Sequence, residues 1–309
     1  HALAGQDSQF LQQVRQRHGA TAQQVRRRFA AIRPELRQRQ RRQLDGDDID
    51  LESAVQHRVE RRLGRTGDGR VFSAHHDLRR DVAAAFLMDM SGSTSYRVPD
   101  PDYVGLLDET PDDSPLYAPS RAVAWLQDRP PARRVIDVAK EALCLMCEAL
   151  HGLGDRHAVY GFSGQGRHEV EFHIAKEFHE PWSDRCARAI AAMQPRRYTR
   201  TGAALRHATR RLAREAARTR VLIVVTDGYP QDVDYGPEPT RHDYGVHDTA
   251  QALREARRAG ISTFCISINH ADHDYLRQMC APDRYLVLED IGELPAQLGK
   301  VYRSLTAGL

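Results

Sequence analysis

The chain has 309 residues, 41% hydrophobic and 28% charged, with a net charge of +3. That length holds one large domain or two smaller ones with a sizeable core. No run nears the roughly 18 apolar residues of a membrane span, and the start, polar and Arg-rich, does not read as a secretory signal. Residues 1–80 are expected to form a basic helical extension. Thr21 followed by Gln24 resembles a capping box. Val25, Phe29, Ile32 and Leu36 then recur at helical spacing, with a kink or break expected at Pro34. A turn at Asp45-Gly46-Asp47-Asp48 precedes a second stripe, Leu51, Val55, Val59 and Leu63, which Gly64 ends. The acids of 45–50 lack the Gly position and distal Glu of an EF-hand loop, so a charged turn capping a helix is expected there. Two amphipathic helices cannot bury their stripes alone. They should pack on the rest of the chain or on a missing part of a longer protein, which the opening residue His1 also suggests.

Residues 81–309 alternate short apolar runs with helical patterns, the signature of an α/β domain with a mostly parallel sheet flanked by helices. Strands are predicted near 83–88, 157–162, 168–174, 221–226, 262–268 and 284–288. Helices are predicted near 135–152, 183–193, 201–217, 246–259, 272–280 and 291–305. Ala83–Met88 and Val221–Val225 are continuous apolar runs, as central strands buried on both faces require. His168–Ile174 alternates instead, which predicts an edge strand with one wet face. Two Pro-rich, acidic inserts, 96–134 and 229–245, each follow an apolar strand and should lie at the C-terminal edge of the sheet, where α/β folds bind ligands.

Three segments at that edge carry the chemistry. Asp89-Met90-Ser91-Gly92-Ser93 follows the first strand with D-x-S-x-S spacing, Thr199 precedes a predicted helix, and Asp227 sits in Thr226-Asp227-Gly228 at the end of the second central strand. Three hydroxyls and two carboxylates form a hard-oxygen set that suits Mg²⁺, or Mn²⁺ or Ca²⁺, and suits zinc poorly. Neutral hydroxyl ligands leave part of the ion's charge uncancelled, so a partner's carboxylate can replace a bound water.

This pattern resembles the metal-ion-dependent adhesion site of the von Willebrand factor A family, whose Rossmann-like fold the predicted elements also match. The resemblance implies Ser91, Ser93 and Thr199 as direct ligands, with Asp89 and Asp227 acting through water. Further stretches, among them Val135–Leu143, Tyr160–Gly164, Arg197–Gly202, Asp227–Asp232 and His247–Thr249, are similar to the C-terminal domain of adaptors that work with MoxR-type AAA+ ATPases. That group includes the CbbO-type rubisco-activase subunit and the NorD protein of nitric-oxide-reductase activation. The resemblance covers about residues 45–309. It implies a non-catalytic adaptor, a hexameric ATPase partner and a metal that grips an acidic residue of a target enzyme. The long acidic insert after the metal loop favours the rubisco branch.

Other chemistries are weaker. No G-x-x-x-x-G-K-[ST] segment occurs, so ATP hydrolysis would belong to a partner. Gly161-Phe162-Ser163-Gly164-Gln165 misses the nucleophile elbow G-x-S-x-G by one residue, which leaves a Ser163 hydrolase as the enzyme alternative. Cys144 and Cys147 lie mid-helix, where no helix N-terminus stabilises a thiolate, and read as core. His270 and His273 read as helix caps. Five cysteines at irregular spacing do not form a disulfide framework, and a cytoplasmic protein is expected. Arg outnumbers Lys heavily, but acids nearly balance it and no aromatic-interleaved basic motif is present, so nucleic acid is not an expected partner.

Overall fold

The computed structural model describes residues 9–30, 37–77, 81–98, 133–235, 243–268, 274–288 and 291–306. Its centre is a six-stranded sheet. The strands are β4 (Val82–Asp89), β5 (Arg156–Gln165), β6 (Glu169–Lys176), β7 (Thr219–Thr226), β8 (Ser262–Ile268) and β9 (Tyr285–Leu288). Their order is β6-β5-β4-β7-β8-β9, parallel throughout except for β6, which returns antiparallel beside β5. The alternating segment is therefore the edge strand, and the two continuous apolar runs, β4 and β7, lie side by side at the centre.

Strand periodicity sorts the core into two layers. Val82, Ala84, Phe86 and Met88 of β4 face one side, where α4 (Val135–Leu153), α5 (Asp184–Ala191) and α9 (Leu294–Thr306) supply Leu143, Ile190 and Leu298. Ala83, Ala85 and Leu87 face the other, against Leu205, Leu253 and Leu276 of α6 (Thr201–Leu212), α7 (Asp243–Arg258) and α8 (Asp274–Met279). The fold is thus an α/β/α sandwich. Among the described residues no helix is long and apolar enough to cross a membrane.

Residues before β4 differ from the expected all-helical extension. Helices α1 (Phe10–Arg17) and α2 (Gly19–Ala30) are present and pack onto the first layer through Leu11, Val14, Ala22 and Val25. Ion pairs fasten them to α4: Arg15 and Arg26 to Glu148, and Arg17 to the buried Glu141, whose other oxygen lies 2.6 Å from His18 Nε2. The rest of the first predicted stripe, Ile32 and Leu36 with Pro34 between them, lies outside the described residues. Beyond them the chain forms a three-stranded sheet, β1 (Arg37–Gln43), β3 (Phe72–Asp77) and β2 (Asp48–Ile49), in the order β1-β3-β2. Residue 37 pairs with residue 77, and a partner forty positions away leaves no trace in local helical periodicity. The second stripe does form a helix, α3 (Leu51–Arg62), and Gly64 closes it with a left-handed φ of 74°. Leu51, Val55, Val59 and Leu63 are nonetheless all exposed, so this stripe is not buried on the α/β core.

One buried histidine makes the fold pH-sensitive. His157, on β5, is 3% exposed; its Nδ1 lies 3.0 Å from the Asp155 carbonyl and its Nε2 has no hydrogen-bond partner. Burial, and then the nearby Lys176 charge, push its pKa down to about 3. Both states are neutral at this position above the ordinary value near 6.5. As pH falls from 6.5 towards 3, only the unfolded chain takes up the proton, so native stability drops by up to about 1.4 kcal/mol per pH unit. Denaturation midpoints from pH 7 to 4 should therefore fall more steeply for the native chain than for His157→Gln. Parallel curves would remove His157 as the cause.

Candidate metal centre

The three loops singled out by sequence meet at the C-terminal edge of β4 and β7. β4 ends at Asp89, and the chain turns at once into a short 3₁₀ turn, Gly92–Ser95. Asp89 shapes that turn by accepting the Ser91 backbone N–H on Oδ1 at 2.8 Å. Its other oxygen accepts the Thr226 hydroxyl at 2.7 Å, which ties the end of β4 to the end of β7. The hydroxyls of Ser91 and Thr199 stand near enough to the Asp89 carboxyl to favour its charged form. Ser91 Oγ lies 3.0 Å from Ser93 Oγ, and Ser93 Oγ donates to Asp227 Oδ1 at 2.8 Å. Asp89, Ser91, Ser93 and Asp227 are thus linked by hydrogen bonds, and Thr199 stands beside the Asp89 carboxyl. Asp89, Ser91, Thr199 and Asp227 are buried, and Ser93 is half-buried and gives the group its opening.

The Thr199 loop is stitched to its neighbours by backbone bonds. Arg196 N donates to Met90 O at 2.5 Å, and Gly92 N donates to Arg197 O at 2.9 Å. Between them Arg197 adopts φ 48°, an uncommon conformation for a residue with a side chain. Tyr198 exchanges two bonds with Gly164 of β5, and Thr199 N donates to Gln231 O at 2.9 Å. Any larger residue at position 202 would displace the Asp248 carboxylate, since a Cβ there would stand 2.0 Å from Asp248 Oδ2 and 3.0 Å from the Tyr235 hydroxyl.

The electrostatics fit a cation. Burial, opposed by its hydrogen bonds, raises the pKa of Asp89. Burial and the adjacent Asp89 charge push that of Asp227 up to about 7. Two carboxylates held together out of water favour a shared proton or a positive ion, and a divalent cation reverses both shifts. The linked Ser91, Ser93 and Asp227 oxygens are 2.8–3.0 Å apart. Neighbouring ligands round a six-coordinate Mg²⁺, each at about 2.1 Å, stand about 3 Å apart, so the Ser91 and Ser93 hydroxyls are spaced as two such ligands would be. Among the described residues no cluster of three or more His, Cys, Asp or Glu offers a softer or more acidic site.

The other sequence candidates do not assemble. Ser163 lies within β5 rather than in a strand-to-helix turn, is fully buried, and donates to Glu171 at 3.3 Å. His173 bonds that same carboxylate, so the arrangement is no Ser-His relay. Cys144 and Cys147 are buried in α4 and burial raises both thiols, which makes them inert. His270 and His273 lie outside the described residues, as do 99–132 of the first insert and 236–242 of the second. Sequence reasoning overlooked Thr226, which joins the two central strands at Asp89; its place in Thr-Asp-Gly directly after an apolar run was the available signal.

Comparison with known proteins agrees with this fold. A solved von Willebrand factor domain, from the type V pili tip protein Mfa5 of Porphyromonas gingivalis, superposes with a TM-score of 0.50 at 11% identity, over 74% of this chain and 96% of that one. The likeness is one of fold alone. An uncharacterized protein of Pseudomonas aeruginosa is 36% identical over 287 residues, 92% of this chain and 41% of the relative. Protein NorD of Stutzerimonas stutzeri is 34% identical over 269 residues, and Protein NorD of Brucella melitensis 31% over 281. They align with 87% and 91% of this chain and 38% of their own length each, so the chain spans about two fifths of these relatives. The family model for the von Willebrand factor type A domain matches residues 136–299. It begins beyond the first insert, and the hydrogen bonds of Asp89 and Ser93 join the loop before that insert to the matched part. With the matched segment, the sheet order and the convergent loops in agreement, this chain belongs to the von Willebrand factor type A domain family.

Proposed function

We propose that this chain is the metal-dependent recognition module of an adaptor for a MoxR-type AAA+ ATPase, and that it is not itself a catalyst. Ser91, Ser93 and Thr199 would hold Mg²⁺ directly, with Asp89 and Asp227 behind them through water. The ion, when bound, supplies a positive charge to which a target protein's carboxylate adds as a further ligand. The observation that carries this reading is the convergence of three separated loops on one hydroxyl-rich, two-carboxylate group with a half-buried edge at Ser93. The ATPase would supply the mechanical work.

The comparisons favour the NorD branch as the source of the target, in place of the rubisco branch favoured by the acidic insert. The functionally named relatives described above are NorD proteins, similar over most of this chain. On this reading the target is a nitric oxide reductase, recognised by an exposed acidic residue. Capture of purified nitric oxide reductase and of purified rubisco on the immobilised chain, in Mg²⁺ and then in EDTA, tests both parts. Retention of the reductase in Mg²⁺ and its release by EDTA is the expected result. Retention that EDTA does not affect would refute the metal-dependent grip, and metal-dependent retention of rubisco alone would return the target to the other branch.

A further inference from the structure

Arg200 is out of place by local rules. It occupies the N-cap of α6, directly after Thr199, with φ −94° and ψ 70°, and its side chain makes no capping bond. N-caps favour Ser, Thr, Asp or Asn, and a cation at a helix N-terminus opposes the helix dipole. A residue that breaks a local rule in this way points to a tertiary reason.

That reason is visible in its contacts. Arg200 Nη1 donates to Asp232 Oδ2 at 2.8 Å and to Asp234 Oδ1 at 2.5 Å, and its guanidinium lies 4.6 Å from the centre of the Tyr235 ring. The Arg200 side chain is 12% exposed and that of Asp232 is fully buried. Each acid is also tied elsewhere. Asp232 Oδ1 accepts the backbone N–H groups of Gly166 and Val233 at 2.8 and 2.7 Å, and Asp234 Oδ2 accepts that of Arg167 at 3.0 Å. Tyr235 completes the circuit: its hydroxyl accepts from Gly202 N at 3.2 Å and donates to Asp248 at 2.6 Å. One guanidinium thus gathers the β5–β6 turn, the start of α6 and residues 231–235.

We infer that Arg200 is a positioning residue for the metal centre, clasping the segment after Asp227 against the loop that carries Thr199. This rests on the metal-binding reading proposed above. Asp227 follows β7 whereas Thr199 lies in the loop between α5 and α6, and the backbone bond from Thr199 to Gln231 joins them only while residues 231–235 stay seated. Without Arg200, the buried Asp232 would have no cation, and Asp234 would keep only its more exposed pair with Arg167, which does not reach Asp232. The segment would lift, and Thr199 and Asp227 would lose their mutual register. Lys at this position is a poor replacement, because a compact ammonium cannot lie as a planar group over the Tyr235 ring while it reaches the two carboxylates.

Mn²⁺ titration of the chain by calorimetry, with melting temperatures measured in EDTA, tests the assignment. Arg200→Gln should weaken Mn²⁺ binding by about tenfold or more, with Arg200→Lys in between. Leu298→Ala, in the opposite core layer, should lower the melting temperature yet leave Mn²⁺ affinity within about twofold of the native chain, because distant sites act independently. Folded Arg200→Gln that binds Mn²⁺ as the native chain does overturns the clasp and leaves the metal centre standing. Should Arg200→Gln not fold, Asp234→Asn, at the more exposed end of the clasp, takes its place: weaker Mn²⁺ binding supports the assignment and unchanged binding overturns it. A native chain that binds no Mn²⁺ overturns both the metal-binding reading and the clasp.

Discussion

Asp89→Ala and Ser91→Ala should each abolish Mg²⁺-dependent capture of the target while the domain stays folded. The folded state tolerates these changes for reasons specific to each position. Asp89 is a buried carboxylate beside a second one, so its removal relieves both desolvation and the repulsion that raises Asp227. Against that gain stand the lost bonds from Ser91 N and the Thr226 hydroxyl, each worth about 1 kcal/mol. Ser91→Ala loses a single hydroxyl contact with Ser93, again about 1 kcal/mol. The metal is affected far more. Groups that merely orient the ligands typically change metal affinity by about 10–100-fold, and loss of a direct hydroxyl ligand should equal or exceed that. Calorimetric Mg²⁺ titration together with circular dichroism separates the two effects. Variants that are folded and retain full Mg²⁺-dependent capture would show that these five side chains do not form the working site.

Gly245→Ala should destabilise the protein by about 1–3 kcal/mol, although Gly to Ala in a helix ordinarily stabilises by about 1 kcal/mol. Gly245 lies in the first turn of α7, and a Cβ there would stand 1.9 Å from the Pro230 carbonyl oxygen and 3.1 Å from Tyr235 Cδ1. A backbone carbonyl cannot swing aside as a side chain would, so either α7 or residues 230–235 must move. Because Gln231 receives the Thr199 backbone bond, the same displacement should weaken Mn²⁺ binding. Gly152, near the end of α4, is the control of opposite sign: nothing lies within 4 Å of its added Cβ. There Ala should gain about 0.5–1 kcal/mol. Urea denaturation of the pair settles the matter, and a Gly245→Ala protein as stable as the native chain would mean that this close approach does not constrain the segment.

The amino-acid order by itself determined the six-stranded α/β core and which side chains gather at its edge. Period-two and period-3.6 patterns are local, and β4, β7, α4 and α6 carry them at full strength. β4 and β7 run the same way, so D-x-S-x-S and Thr-Asp-Gly had to emerge at one edge, and the loop of Thr199, between two helices, meets them there. Tertiary structure alone decided what is not encoded within a few residues. The pairing of Arg37–Gln43 with Phe72–Asp77 is non-local, which is why helix was expected in place of a small sheet. α1 and α2 found the α/β core while the Leu51–Leu63 stripe did not, a choice that depends on the shape and charge of the receiving surface at Glu141 and Glu148. Ser163 resembled a nucleophile until its strand buried it. Arg200 seemed one arginine among many until Asp232 and Asp234, more than thirty residues away, closed upon it. Charges and hydroxyls have no periodicity of their own; their roles follow from which partners the packed chain brings within 3 Å.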